Sequence, residues 1–153
     1  MVEKRERVGI YMEMKQQNLI EEKGLIGEQW VSKQLREMGY LIKNRGQHRL
    51  PFDLLAEKNT FKFGIQVKDK EPRIHYPDTG FEKWRYRMYQ KWQEDTGKKM
   101  LILFTDKSKK IYGNWLDFLG KEEGHGNTWN TKENCEMIYW WIQNLKILKE
   151  LLE

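Results

Sequence analysis

The sequence predicts an α/β or α+β fold in which a mixed sheet is flanked by helices. Three observations predict it. Apolar residues recur at helical spacing over 24–38, short strand patterns follow over 40–68, and a continuous apolar run at 99–105 suits a buried strand. The chain has 153 residues, of which 39% are hydrophobic and 33% charged. That is enough apolar material for a core and excludes a disordered chain. The longest apolar run, Met137 to Ile142, falls far short of the ~18 residues that a membrane-spanning helix needs. No membrane partner is expected.

Residues 1–23 are charged, with a sparse apolar pattern, and read as an N-terminal helix or arm; 24–153 read as a single domain. No apolar segment of the signal-peptide kind follows Met1. Cys135 is the only cysteine, so no intrachain disulfide forms, which fits a cytoplasmic protein. His48, His75 and His125 show no ligand spacing, and a structural zinc is not expected.

In order, Ile26, Trp30, Val31, Leu35 and Met38 fall on one side of a first helix, which Gly39 stops. Tyr40 to Ile42 is a short strand, and 43–50 a basic loop. Phe52 to Glu57 is a strand, Lys58 to Thr60 a tight turn, and Phe61 to Lys68 an alternating strand. Phe61, Phe63, Ile65 and Val67 share one side of it, and Lys62, Gly64, Gln66 and Lys68 the other. Residues 71–80 are read as a loop, and Phe81 to Asp95 as a basic-aromatic helix packing Trp84, Met88 and Trp92 on the sheet. Lys99 to Thr105 and Ile111 to Trp115 are strands, Leu116 to Leu119 a helical turn, and 120–131 a loop. A last helix is expected from Lys132 to the C-terminus, with Ile138, Trp141, Leu145, Leu148 and Leu152 on one stripe that offers a dimer seam.

The chemistry concentrates on the two-stranded hairpin. Asp53 sits at the start of one strand, where aspartate is disfavoured unless it has a task. Gln66 and Lys68 share a face of its partner, and the turn at 58–60 brings Asp53 near Gln66. Glu28, at the edge of the first helix's apolar arc, reaches over that end of the sheet. An oxygen cluster of Asp53, Glu28, the Gln66 amide and the Val67 backbone carbonyl is what Mg²⁺ takes, with Mn²⁺ as substitute. Such a cation acidifies bound water and stabilises charge on a phosphate, and Lys68 would assist that water.

Gly24-Leu-Ile-Gly-Glu28, then Leu35 to Tyr40, then Asp53-Leu-Leu-Ala, then Gly64-Ile-Gln66-Val-Lys68 resemble the core of the PD-(D/E)XK nuclease superfamily. The sequence is most similar to its Holliday-junction-resolvase-like and Mrr-like branches. The resemblance covers residues 24–70; beyond that the elements agree in order only. It implies a restriction-endonuclease-like αβββαβ core and Mg²⁺-dependent cleavage of DNA phosphodiesters. It makes Glu28 the helix carboxylate, Asp53 the central ligand, Gln66 the second ligand and Lys68 the catalytic lysine. It also implies a homodimer, because a four-way junction needs two symmetric cuts. Two positions depart from the pattern. Phe52 separates Pro51 from Asp53, and Gln66 stands where Asp or Glu is usual, a weaker ligand for Mg²⁺.

The formal charge is +5, but residues 43–110 hold 17 Lys/Arg against 9 Asp/Glu. The segment carrying the acidic cluster is therefore the basic one. Lys43, Arg45, His48, Arg49, Lys70, Arg73, Arg85, Arg87 and Lys91 are the expected DNA contacts. Two rival readings remain open: a DNA-binding module that keeps the nuclease fold without cleaving, and a protein-interaction module.

Overall fold

A computed structural model describes residues 26–45, 50–72, 78–120, 127–130 and 136–153. The expected arm at 1–23 lies outside them. A six-stranded mixed sheet forms the centre, with strands β1 (Leu41–Asn44), β2 (Leu54–Lys58), β3 (Phe61–Asp69), β5 (Lys99–Thr105), β6 (Ile111–Trp115) and β9 (Lys146–Ile147) in the spatial order β1-β2-β3-β5-β6-β9. β3 and β5 are parallel and every other pair is antiparallel. The parallel pair needs a crossover, and the helix α2 (Lys83–Thr96) supplies it. A first helix, α1, spans 26–37.

The strand alternation sorts two cores onto the two faces of the sheet. Phe63, Ile65 and Val67 of β3 and Leu101 and Leu103 of β5 pack with Val31 and Leu35 of α1. Met100, Ile102 and Phe104 face the other way, toward Tyr89 and Trp92 of α2. β3 is central, so Gly64 and Gln66 are covered as well as the apolar side. Gly64 has a steric reason: a Cβ there would lie 2.5 Å from Met100 Sδ and 2.9 Å from the Phe52 ring. The β2–β3 turn places Asn59 at φ 57°, the left-handed region that asparagine tolerates.

A second, three-stranded antiparallel sheet closes the α2 face: β4 (Asp78–Glu82), β8 (Glu136–Trp141) and β7 (Asn127–Asn130), in the order β4-β8-β7. Its Phe81, Ile138 and Trp140 join the second core, and Trp140 Nε1 donates to the Leu119 carbonyl at 3.1 Å from the short helix α3 (Leu116–Leu119).

This sheet corrects several expectations. The last helix does not run from Lys132: 136–141 is β8, a 3-10 turn covers Ile142–Asn144, and only α4 (Leu148–Leu152) is helical. In β8 burial alternates, with Ile138 and Trp140 inward, which is strand periodicity. The apolar stripe from Ile138 to Leu152 is therefore not one helix face and supplies no helical dimer seam. Residues 78–80 and 127–130, expected in loops, are strand, and α2 begins at Lys83 rather than Phe81. On α2, Trp84 is exposed and Tyr89 is buried. Four-residue steps drift about 40° each around a helix, so Trp84 turns away from the side on which Trp92 packs. Ile26, expected on the buried side of α1, is also exposed. Lys43 lies on β1, not in a loop.

Candidate active site

The hairpin register builds the site. Leu54 pairs with Ile65, so Asp53, one step before β2, falls opposite Gln66. Both side chains are buried. A buried carboxylate needs compensating donors, and Asp53 Oδ2 has two: Gln66 Nε2 at 2.9 Å and the Val67 backbone N–H at 3.0 Å. Gln66 Nε2 also donates to the Val67 carbonyl at 3.3 Å.

Glu28 comes from the first described turn of α1 and hydrogen-bonds the Asp53 side chain. Burial first, and then the bond to Asp53 and its negative charge, push the Glu28 carboxyl up to about 8, against a smaller opposing effect of Arg45. The protonated form of Glu28 is thus favoured, as expected when two carboxylates share one site.

Lys68, two residues beyond Gln66 on the same face, lies 3.8 Å from Glu82 Oε2. Burial lowers its pKa, and the Glu82 charge opposes that shift. Glu82 Oε2 also lies 3.1 Å from Arg85 Nε, an ion pair whose angles fall outside hydrogen-bond alignment. Next to it, burial pushes the Tyr89 hydroxyl up to about 12 against the opposing effect of Arg85, with smaller additions from the Asp53 and Glu82 charges. The acidic pair is therefore backed by a charged layer from β4 and α2.

The structure brings Glu28, Asp53, Gln66, the Val67 carbonyl and Lys68 together, with Arg45 close enough to act on Glu28. Lys43 is half-buried on β1. Lys70 donates to the Gly80 carbonyl at 3.3 Å and lies over the Tyr139 ring, tying the two sheets together. Arg85 lies over Trp84, 4.6 Å from the ring centroid, and borders Lys68. Arg87 and Lys91 are exposed on α2, with the Arg87 charge acting on Glu136. His48, Arg49 and Arg73 lie outside the described residues. Sequence reasoning missed Glu82 and Tyr89. The spacing of Glu82 three residues before Arg85 is the one signal that pointed to the first.

Among the described residues no group of three or more His, Cys, Asp or Glu converges. The available donors are two carboxylates, one carbonyl and one amide. All are hard ligands, and a half-turn of the Gln66 amide replaces its amino group by oxygen. That set fits Mg²⁺ or Mn²⁺ and not a soft metal. Among the described residues no helix is long and apolar enough to cross a membrane.

No family model matches the chain, and no curated protein matches it. Solved structures do. A Holliday junction resolvase from the archaeal hyperthermophile Archaeoglobus fulgidus superposes with a TM-score of 0.60 at 10% identity, covering 84% of this chain and 93% of that one. The chain therefore has a resolvase-like nuclease fold: a mixed six-stranded sheet flanked by helices.

Proposed function

We propose that the chain is a metal-dependent DNA endonuclease of the PD-(D/E)XK type, selective for DNA structure, with junction resolution by a homodimer as the leading case. The observation that carries the reading is the Asp53–Gln66–Val67 contact, with Glu28 bonded to Asp53 and Lys68 on the Gln66 face. The likeness to a resolvase fold supports it. Asp53, Glu28, the Gln66 amide oxygen and the Val67 carbonyl would hold Mg²⁺ or Mn²⁺. The cation supplies an acidified water and charge stabilisation at the scissile phosphate. Lys68, its pKa lowered by burial, orients the attacking water and meets the charge that develops on the phosphate. Glu28 would serve as a ligand in its deprotonated form. Lys43, Arg45, Arg85, Arg87 and Lys91 would meet DNA phosphates on the surrounding surface.

The test is cleavage of linear, supercoiled, nicked, branched and single-stranded DNA with Mg²⁺ or Mn²⁺. Wild type cuts at least one form, and Asp53→Ala and Lys68→Ala do not. No cutting above those variants on any form removes the proposal. One observation favours a second reading, a DNA-binding module without catalysis. The Gln66 amino group donates to both oxygens that would face a cation, leaving the cluster satisfied on its own. That reading predicts salt-sensitive DNA binding with no response to Mn²⁺.

A further inference from the structure

On the α1 face, a cavity of about 280 Å³ adjoins the candidate active site. Gly27, before Glu28, and Asp69, after Lys68, both line it, so the two sites share α1 and β3. At Gly27 the helix comes so close that a Cβ would lie 3.0 Å from Thr105 Oγ1 and 3.1 Å from Asp69 Cβ. Thr105 also lines the cavity; it is buried, and its Oγ1 has no hydrogen-bond partner among the described residues.

The aromatic wall is Trp30. Its indole is fixed edge-on by a 3.0 Å bond from Nε1 to the Lys109 carbonyl. Lys109 holds φ 62°, left-handed for a non-glycine residue, in a turn closed by its own N–H on the Asp106 carbonyl at 3.0 Å. This turn puts Lys109 Nζ over the Trp30 ring, 5.5 Å from its centroid, and Lys33 Nζ from α1 also lies over the ring at 5.9 Å, so a stacking base would take the place of these ammonium groups and leave them for its phosphate. An aromatic plane with two ammonium groups on long side chains, beside polar acceptors, is the chemistry that receives a nucleotide. The base stacks, and the cations meet its phosphate.

We propose that this cavity takes one unpaired nucleotide of the DNA substrate, its base stacked on Trp30 and its phosphate met by Lys33 and Lys109. Asp69 accepts hydrogen bonds from the base edge, and the unpartnered Thr105 lies behind it. The inference rests on the endonuclease reading and deepens it: a strand is recognised by a base that unstacks at a branch point or bulge beside the cutting site, which continuous duplex does not offer.

The test is metal-free, so it reads binding alone. Two dye-labelled duplexes are compared by anisotropy, one fully paired and one with a single bulged 2-aminopurine. Wild type binds the bulged duplex about ten-fold more tightly, the span expected for one stacked base, and quenches the 2-aminopurine. Trp30→Ala brings the two affinities within two-fold and removes the quenching, while Trp30→Phe keeps most of both. Circular dichroism confirms that each variant is folded. Equal wild-type affinity for the two duplexes, or a preference unchanged in Trp30→Ala, overturns the inference. If the wild type shows no preference yet cuts paired duplex with Mg²⁺, the inference falls and the endonuclease reading stands. If it binds neither duplex and cuts no DNA, both fall.

Discussion

Glu28→Gln isolates the proton shared with Asp53. A carboxyl raised in the folded state stabilises the fold fully below its unfolded value, and that contribution is lost as pH rises through the folded value. For Glu28 the window runs from 4.5 to about 8. Glutamine keeps the shape and the neutral form at every pH. Wild type and Glu28→Gln should therefore match near pH 4, and wild type should fall behind as pH rises to 9. Taken whole, the rise to about 8 converts to a ceiling of about 5 kcal/mol. Glu28 is only half-buried, so solvent screening reduces this to about 1–2 kcal/mol. Urea unfolding of both proteins from pH 4 to 9 reads the difference directly, and titrating groups away from the Glu28–Asp53 pair cancel in the comparison. Thermal melts should show about 2–4 °C for each kcal/mol in a chain of this size. Parallel stability curves would refute the raised Glu28 carboxyl, and with it the burial and the Asp53 contact that raise it.

Two further substitutions probe the supports of the site. Gly64→Ala drives a methyl toward Met100 Sδ and the Phe52 ring and should cost about 1–3 kcal/mol in urea unfolding; an unchanged midpoint would mean the α2 face is loosely packed. Glu82→Gln removes the charge that holds up the Lys68 pKa, so a larger fraction of Lys68 is neutral. Peptide mapping after amine acylation at pH 8 should show Lys68 labelled at least twice as fast, and an unchanged rate would remove Glu82 from the site.

Five strands of the central sheet were legible because each carried its own local signal; the sixth, β9, fell inside the helix expected from Lys132 onward. The continuous run at 99–105 and the β2–β3 hairpin with its Asn59 turn lie where the sequence put them. The same hairpin made the Asp53–Gln66 contact readable, since antiparallel register follows from the turn. The small sheet was not legible. β4 follows Pro72 and Pro77 and itself holds Asp78 and Gly80, which read as loop, and β8 is followed by leucines that mimic helical spacing, so only pairing across distant segments reveals strands. Tyr89 was hidden for a related reason. It sits on the α2 face selected by Phe81, a residue of the small sheet, and nothing local marks that face. Glu82 joined the site only because β4 ends beside Lys68.

The central claim is that Asp53 and Gln66 form one side of a divalent-cation site. A Mn²⁺ titration of wild type, Gln66→Glu and Asp53→Ala, followed by the loss of free-ion electron paramagnetic resonance signal, tests it most directly. Replacing the Gln66 amide by a carboxylate at a true ligand position should tighten Mn²⁺ binding at least ten-fold, and Asp53→Ala should abolish binding. Mn²⁺ affinity that is the same in wild type and Gln66→Glu, or that survives Asp53→Ala, would contradict the account.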